Sequence, residues 1–365
     1  MKFTCAKEDL AKAVSLASRA VSRLSGDITE CILFECGEEE LTLKATDTAF
    51  SIKVQIPARV WDKGEFAVAA KSLYDMVSKF PNSDVSFELK GRQAEMKCLS
   101  SKVKLNIMDS NEFPDLENDE SSFETTVKLP QNVFREMIDT TIFAAATSED
   151  KPILTGLYFD AEPDYLTLVG LDGFRMAVRK SEAICDAPAH CTVPGRALKE
   201  AARSLGDTEE NVKIVISDAM ITFEWQGIKI YSRLLEGDYV NYKKLIPEDF
   251  LTSTRAETET LKEAIERASV VARDSNNVVT LKIDEKKMNI TSKSELSSID
   301  EDIDVINSGN DIRIGFNTRY ILDVLKNISE REIELKFNSP ITPCVVKKTG
   351  AQSYTYLILP VQLRD

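Results

Sequence analysis

Residues 166–178 form two short runs of alternating apolar and polar positions that meet at Asp172-Gly173. An Asp-Gly pair between two such runs favours a tight turn with positive φ, so the segment is predicted as a strand, a turn and a returning strand. Residues 41–52 show the same pattern 125 positions earlier, with the same Leu-Thr-Leu opening and with Asp47 at the turn. The recurrence predicts an internal repeat.

Helical patterns recur with the same period. Amphipathic helices are predicted near the start of each third of the chain, at 10–21, 133–144 and 261–272. A second helix is predicted in each third at 71–76, 196–201 and 319–324, after short β-like runs at 66–68, 191–193 and 312–314. Each third therefore has the order helix, strands, helix, strands, which is typical of an α+β fold.

The length fits three domains. A chain of 365 residues with 43% hydrophobic content divides into three units of ordinary domain size. We predict boundaries in the acidic stretch 109–122 and in the stretch 235–253, which gives domains 1–122, 123–248 and 249–365. No apolar run approaches membrane-spanning length and the N-terminus lacks the apolar core of a signal peptide, so a cytoplasmic protein without membrane contact is predicted.

Residues typical of catalysis are scarce. The seven cysteines are scattered without the two-residue spacing of zinc ribbons, which predicts reduced thiols and no metal site. His190 is the only histidine, so any Ser-His or Cys-His nucleophile would depend on it alone. Phosphate-binding glycine loops and hydrolase elbows are missing from the sequence. The sequence therefore predicts a protein that is not an enzyme and uses no cofactor.

Several predicted helices separate apolar from basic residues. Leu10 and Val14 fall opposite Lys12 and Arg19 on the first helix, at about 100° per residue. For a single helix the usual interpretation is a solvated face, but a shared orientation across a repeat favours one polyanionic partner. The net charge of −14 and the pI of 4.9 mean that such contact would be weak. The basic residues considered are Lys12, Arg19, Arg23, Lys71, Arg135, Arg196, Lys199 and Arg203.

Five segments resemble the bacterial DNA sliding clamp, the β subunit of DNA polymerase III. They are the opening Met1-Lys2-Phe3-Thr4, the turn 112–116 (EFPDL), the hairpin 171–176 (LDGFRM), the run 314–325 and the ending 356–363 (YLILPVQL). The resemblance covers the whole chain in the expected order. It implies three similar domains, each with two inner helices and outer antiparallel sheets. It also implies a head-to-tail homodimer closed into a ring, with those basic residues facing an encircled double-stranded DNA.

The resemblance further implies partners and sites. The partners would be the replicative DNA polymerase, a clamp loader and other proteins with clamp-binding motifs. The dimer seam would comprise Lys102, Val103, Lys104, Leu105, Val270 and Val271, with an acidic patch at 295–304 facing the basic strand. The protein-binding groove would comprise Leu154, Leu171, Gly173, Phe174, Arg175, Met176, Lys244, Leu245, Tyr320, Pro343, Leu357, Ile358, Leu359, Pro360 and Val361. From the residues alone, the favoured interpretation is that Leu171, Met176 and 357–359 are core.

Three departures from the family pattern affect the choice of partners. Phe174 stands where histidine is frequent, Val240 stands where proline is common, and Arg364-Asp365 extend the usual end. We also expect 357–359 to complete a strand that Pro360 ends, with the residues after it free to line the groove and contributing little to the fold. The alternative function is a monomeric three-domain peptide-binding scaffold without a DNA role, and a hydrolase is a more distant one.

Overall fold

The computed structural model describes residues 1–22, 27–116, 124–348 and 354–363. Three predictions fall outside these ranges in whole or in part: the role of Arg23, the end of the first domain boundary at 117–122, and the extension Arg364-Asp365. Among the described helices, none is long and apolar enough to cross a membrane.

The described residues form six α-helices and 27 strands. The helices are α1 Lys7–Ala17, α2 Ala70–Lys79, α3 Gln131–Asp139, α4 Gly195–Ser204, α5 Thr258–Ala272 and α6 Thr318–Leu325. In the first third the strands are β1 Lys2–Cys5, β2 Cys31–Cys36, β3 Glu40–Thr46, β4 Phe50–Pro57, β5 Arg59–Asp62, β6 Gly64–Ala69, β7 Val85–Lys90, β8 Gln93–Cys98 and β9 Ser101–Met108.

The other two thirds follow the same order. In the second third the strands are β10 Glu124–Pro130, β11 Gly156–Glu162, β12 Tyr165–Leu171, β13 Arg175–Glu182, β14 Ile184–Cys185, β15 Ala189–Pro194, β16 Asn211–Ser217, β17 Met220–Trp225 and β18 Ile228–Arg233. In the last third they are β19 Thr252–Glu257, β20 Val278–Ile283, β21 Lys287–Lys293, β22 Ser298–Asp304, β23 Ile306–Gly309, β24 Ile312–Asn317, β25 Glu332–Phe337, β26 Cys344–Lys348 and β27 Tyr354–Ile358. The predicted three-fold repeat is confirmed.

Sheet topology repeats as well. In each third, the first strand joins the last three in one antiparallel group, as in β1-β7-β8-β9. The strand before the second helix joins the three strands after the first helix in another group, as in β6-β2-β3-β4. Each third of the chain therefore has two sheet edges. One edge is its last strand, and the other is the strand that comes third after its first helix.

Two of these edges pair with each other across the thirds. Residues Phe50–Val54 of β4 pair antiparallel with Ile228–Ser232 of β18, which makes one sheet of 14 strands. Residues Arg175–Arg179 of β13 pair antiparallel with Tyr354–Ile358 of β27, which makes a sheet of nine strands. Within the described ranges, β22 pairs with β21 alone, and residues 101–106 of β9 pair with β8 alone.

An aspartate stabilises each of the two predicted turns. Asp172 Oδ1 accepts hydrogen bonds from the amides of Phe174 and Arg175 at 2.8 and 2.9 Å, and Gly173 takes a φ of +91°. Asp47 Oδ1 accepts in the same way from Phe50 N at 2.9 Å. An aspartate that bonds the backbone two or three residues on stabilises a tight turn, so both hairpins begin alike.

The helices match the predicted positions, with two shorter ends. The first helix was predicted to reach Val21, but α1 ends at Ala17 because the amides of Arg19 and Ala20 bond carbonyls three residues back. The third was predicted to reach Ala144, but α3 ends at Asp139. There Thr140 and Thr141 hydroxyls each donate to a backbone carbonyl four residues back at 2.7 Å, which competes with helical bonding. A 3₁₀ turn at Ile142–Ala144 follows.

By contacts, the chain forms two compact units. The first comprises Met1–Phe134, Ile184–Ala187 and Arg196–Leu234, and the second Arg135–Ala183, Pro188–Gly195 and Leu235–Asp365. In the first unit, the Phe34 ring lies 4.9 Å from Phe66 and 5.6 Å from Phe87, inside a fully buried aromatic group. In the second, α5 packs on β20, β21, β22 and α6. The division passes through the middle third because its two sheet groups join different neighbours.

Candidate functional site

The candidate site lies in the second unit, where the end of the 171–176 hairpin meets the C-terminal strand and α6. Arg175 anchors it. Its Nε donates to Asp172 Oδ2 at 3.0 Å, its Nη2 donates to the Phe143 carbonyl at 2.8 Å, and its Nη1 donates to Asp323. The Arg175 side chain is only 11% exposed. A guanidinium with three acceptors in a partly buried setting fixes the hairpin relative to α6.

Aromatic rings extend from this anchor to the surface. The Phe174 ring stacks on Tyr320 with centroids 5.6 Å apart and planes 17° apart. The Arg175 guanidinium lies 4.9 Å from the Tyr320 ring centroid, within cation–π range. Phe174 is nonetheless 55% exposed. The stack is therefore an apolar surface held in place from beneath.

Several predicted groove residues are core. Leu154, Leu171, Met176 and Leu357 belong to one buried cluster, which also includes Val345, and Ile358 is buried as well. The burial of these residues agrees with the interpretation that they belong to the core. Leu245, Leu359, Gly173 and Lys244 are exposed, and Tyr320, Pro343, Pro360 and Val361 are half-buried. The apolar cluster thus supports an exposed rim.

The C-terminal tail differs from the expectation. Strand β27 ends at Ile358, although the Leu359 amide still donates to the Phe174 carbonyl at 2.8 Å. After Pro360, the Val361 amide donates to the Gly315 carbonyl at 2.8 Å. A Cβ at Gly315 would lie 2.7 Å from Leu363 Cδ2, so the tail packs closely on β24. The prediction of a free tail that contributes little to the fold was wrong.

Sequence reasoning missed the residues that cover the cluster. Tyr239 stacks on Tyr158 with centroids 4.8 Å apart, and its hydroxyl donates to the Val169 carbonyl at 3.2 Å. Tyr242 is buried in the same cluster. Burial raises the pKa of Tyr239 far above its ordinary value. The Tyr-x-x-Tyr spacing at 239–242 was a usable signal, but in this stretch the sequence analysis considered only the domain boundary, Val240, Lys244 and Leu245. Val240, between the two tyrosines, is exposed.

Most of the predicted DNA-facing cations are exposed, but many are already paired. In the first unit Arg19 and Arg203 both bond Glu200, at 3.1 and 2.8 Å, and Arg196 pairs with Asp47. Lys12, Lys71 and Lys199 are exposed there. In the second unit Arg135 lies 3.8 Å from Asp139. Pairing with carboxylates lowers the net positive field that these helices present.

The predicted seam residues occupy two places. On β9, Lys102 bonds Glu95 at 2.8 Å, Lys104 is exposed, Val103 is half-buried and Leu105 is buried. On α5, Val270 is 62% exposed and Val271 is half-buried. Leu261 and Ile265 of the same helix are buried, so Val270 stands out as an exposed apolar side chain on α5.

The cysteine side chains are buried and poorly reactive. All seven cysteines are free thiols and buried, which confirms the prediction of reduced thiols. Burial raises the pKa of Cys5, Cys36 and Cys191 to about 12, so these thiols are neutral near pH 7. A neutral buried thiol is a poor nucleophile.

Comparisons with known proteins agree over the whole chain. Models of the DNA polymerase III β subunit match residues 1–117 with the N-terminal domain, 128–241 with the central domain and 243–362 with the C-terminal domain. A β sliding clamp from Synechococcus elongatus is 31% identical and covers 100% of both chains. One from Bacillus subtilis is also 31% identical, over 99% of this chain and 100% of its own. The crystal structure of a Bacillus subtilis DNA polymerase sliding clamp covers 100% of both chains at 29% identity, with a TM-score of 0.95.

Replacing Arg175 with lysine should destabilise the second unit. Lysine keeps the charge but cannot bond Asp172, Asp323 and the Phe143 carbonyl from one planar group. We expect the free energy of unfolding to fall by about 1–3 kcal/mol, the usual effect of losing buried charged hydrogen bonds. Thermal melting followed by circular dichroism would measure it, with Arg273→Lys at the exposed end of α5 as the matched control. An R175K protein that melts with the wild type would mean that Arg175 does not anchor the hairpin.

Proposed function

This chain belongs to the DNA polymerase III β subunit family, and from that premise we propose that two copies close into a ring around duplex DNA. The protein is a DNA sliding clamp and a non-catalytic component of replication, not an enzyme. The ring would hold the replicative polymerase on its template while a clamp loader opens and closes it. We place the clamp in the cytoplasm, where its template lies. We also propose the predicted limits 1–122, 123–248 and 249–365 for the three domains.

The observation that best supports a ring is the pair of sheet edges without a partner strand among the described residues. Of the three equivalent edge pairs, β4 with β18 and β13 with β27 are joined within one chain. By the same rule β22 should pair with β9, and both edges are open among the described residues. When β22 of one copy joins β9 of the next, every edge of this kind is used. Two copies then close a head-to-tail ring of six domains.

Charge supports this pairing. The β9 edge carries Lys102 and Lys104, and the β22 edge carries Asp300, Glu301 and Asp302. Opposite charges on facing strands favour association and fix the register. Val270 and Val271 of α5 would add apolar contact with Val103 and Leu105. A monomeric scaffold would leave these two complementary sheet edges unpaired.

Retention on DNA would come from closure of the ring. The net charge is −14 and several inward cations are bound to carboxylates, so phosphate contact is weak. Each neutralised phosphate contributes roughly 0.9 to the log–log salt slope, and a few such contacts do not hold a protein for long at physiological salt. A ring needs no sequence readout and can slide.

The Phe174–Tyr320 surface and the residues around it would bind client proteins. A stacked aromatic pair, the exposed Leu245 and Leu359, and an apolar cluster beneath suit a short peptide with one or two hydrophobic anchors. The replicative polymerase, the loader and other clamp-binding proteins would compete for it.

The seam is tested by Val270→Asp combined with Val271→Asp. Two carboxylates placed in an apolar contact next to Asp300–Asp302 should give folded monomers, so light scattering should drop from twice 40.8 kDa to 40.8 kDa. Ile184→Asp, a change at another exposed apolar residue, should remain dimeric. A V270D/V271D protein that is still dimeric at micromolar concentration would place the seam elsewhere.

The topological account is tested on DNA of two forms. Clamp loaded on a nicked circle should stay bound through gel filtration at physiological salt, and it should run off after the circle is linearised. The V270D/V271D monomer is the control and should be retained on neither form. Equal retention of the wild type on circle and linear DNA would mean that affinity, not linkage, holds it.

The groove is tested at Leu359, whose side chain is 37% exposed and whose amide stays bonded in any variant. Leu359→Ala should weaken binding of a fluorescent polymerase-derived peptide by ~10–30-fold, the effect of losing one buried anchor worth about 1.4–2 kcal/mol. Ile184→Ala is the control. Unchanged anisotropy titrations for L359A, with dimer and melting temperature intact, would remove Leu359 from the groove. Deleting 360–365 is a poorer test because the tail packs on Gly315.

A further inference from the structure

Three metal-ligating side chains meet on one face of the nine-stranded sheet. Asp160 and Glu162 are two apart on β11 and so point to the same face. His190 on β15 is the direct cross-strand neighbour of Asp160. One ligand atom from each of the three lies within 4.8 Å of the others. The sequence prediction of no metal site considered only cysteine spacing, and these residues are too far apart in the chain to form a motif.

One oxygen of the central carboxylate faces His190. Asp160 is only 3% exposed, and its Oδ1 accepts no hydrogen bond among the described residues. His190 Nδ1 lies 3.1 Å from that oxygen, an ion-pair distance, and a metal ion bound by both atoms would replace this contact. Ligands about 2.1 Å from one ion, at angles between octahedral and tetrahedral, are roughly 3.0–3.4 Å apart. The separation of the two atoms therefore fits a shared metal ion.

The other oxygen of Asp160 is held in place. Tyr242 donates its hydroxyl to Oδ2 at 2.7 Å, and Lys243 Nζ lies 2.9 Å from it. These two contacts orient the carboxylate, as hydrogen bonds usually orient metal-ligating carboxylates. Tyr158 stacks near the His190 ring with centroids 6.2 Å apart, which orients the imidazole.

We propose that Asp160, Glu162 and His190 bind one divalent transition-metal cation of the zinc class per chain. The imidazole and two carboxylates suit Zn²⁺, Co²⁺ or Mn²⁺ better than Mg²⁺ or Ca²⁺, which prefer oxygen ligands alone. Glu162 offsets the positive charge of Lys243, and the ion takes Oδ1 while Lys243 keeps Oδ2. Because Tyr242 and Lys243 belong to the turn Tyr242–Leu245, a bound ion would also brace the segment that carries Lys244 and Leu245.

The single histidine makes the test specific. In untagged, chelator-treated full-length protein labelled with ¹³C at histidine Cε1, NMR should show one imidazole signal, and one equivalent of Zn²⁺ should shift it. Isothermal titration should give one site per chain, and the melting temperature should rise with Zn²⁺ because the ion binds the folded state. Millimolar Mg²⁺ should leave the imidazole signal in place. The buried thiols do not compete in the folded protein.

Variants separate this site from adventitious binding. His190→Gln and Glu162→Gln, changes outside the core, should each weaken Zn²⁺ binding by at least ~10-fold, as loss of a ligand or its support does. Asp160→Asn, which can still accept from Tyr242, should do the same. Asp164→Asn, in the adjacent exposed turn, is the matched control and should bind as the wild type does. An imidazole signal that Zn²⁺ does not move, or equal affinity in the control and the three variants, would overturn the proposal.

Discussion

Hydrogen bonding between the edges of neighbouring sheets is the interaction on which the structure depends. Each third of the chain ends in two edge strands with a row of unpaired backbone groups, which are costly to bury and prone to unwanted pairing. The junctions of β4 with β18 and of β13 with β27 remove four of these six edges, with five residue pairs at each. The junctions also explain why the compact units divide the middle third, since one of its sheet groups is continuous with each neighbour.

The exposed Phe174–Tyr320 surface is a consequence of the second junction. Pairing of Arg175 with Ile358 sets the hairpin end beside the C-terminal strand, and the Leu359 amide continues the contact to Phe174. Neither sheet group alone would bring Phe174, Leu359 and Tyr320 together. The Arg175 network then holds the rings, and with them the exposed apolar surface, in one arrangement. Such preorganisation reduces the ordering cost of binding.

The charged residues have different effects on different parts of the surface. An acidic chain repels DNA at long range, and the pairing of Arg19, Arg196 and Arg203 with carboxylates moderates what attraction the helices provide. The edges left open carry opposite charges, where complementarity favours a specific partner. Weak attraction on one surface and complementary charge on another are the combination that a sliding ring requires.

The sequence by itself determined the repeat, the order of its elements, the helix faces and the turns at Asp47 and Asp172. These features depend on contacts within a few residues or on a period that is visible in the sequence. The family resemblance added the seam and groove residues as expectations. Only the tertiary structure decided that Leu171, Met176 and Leu357 are core, that the tail after Pro360 packs on Gly315, that Arg19, Arg196 and Arg203 are paired, and that Asp160 and His190 face each other. These facts depend on which distant strands become neighbours. A one-dimensional pattern shows that a side chain is apolar or charged, but the identity of its partner is settled by strand pairing across 30 to 180 positions.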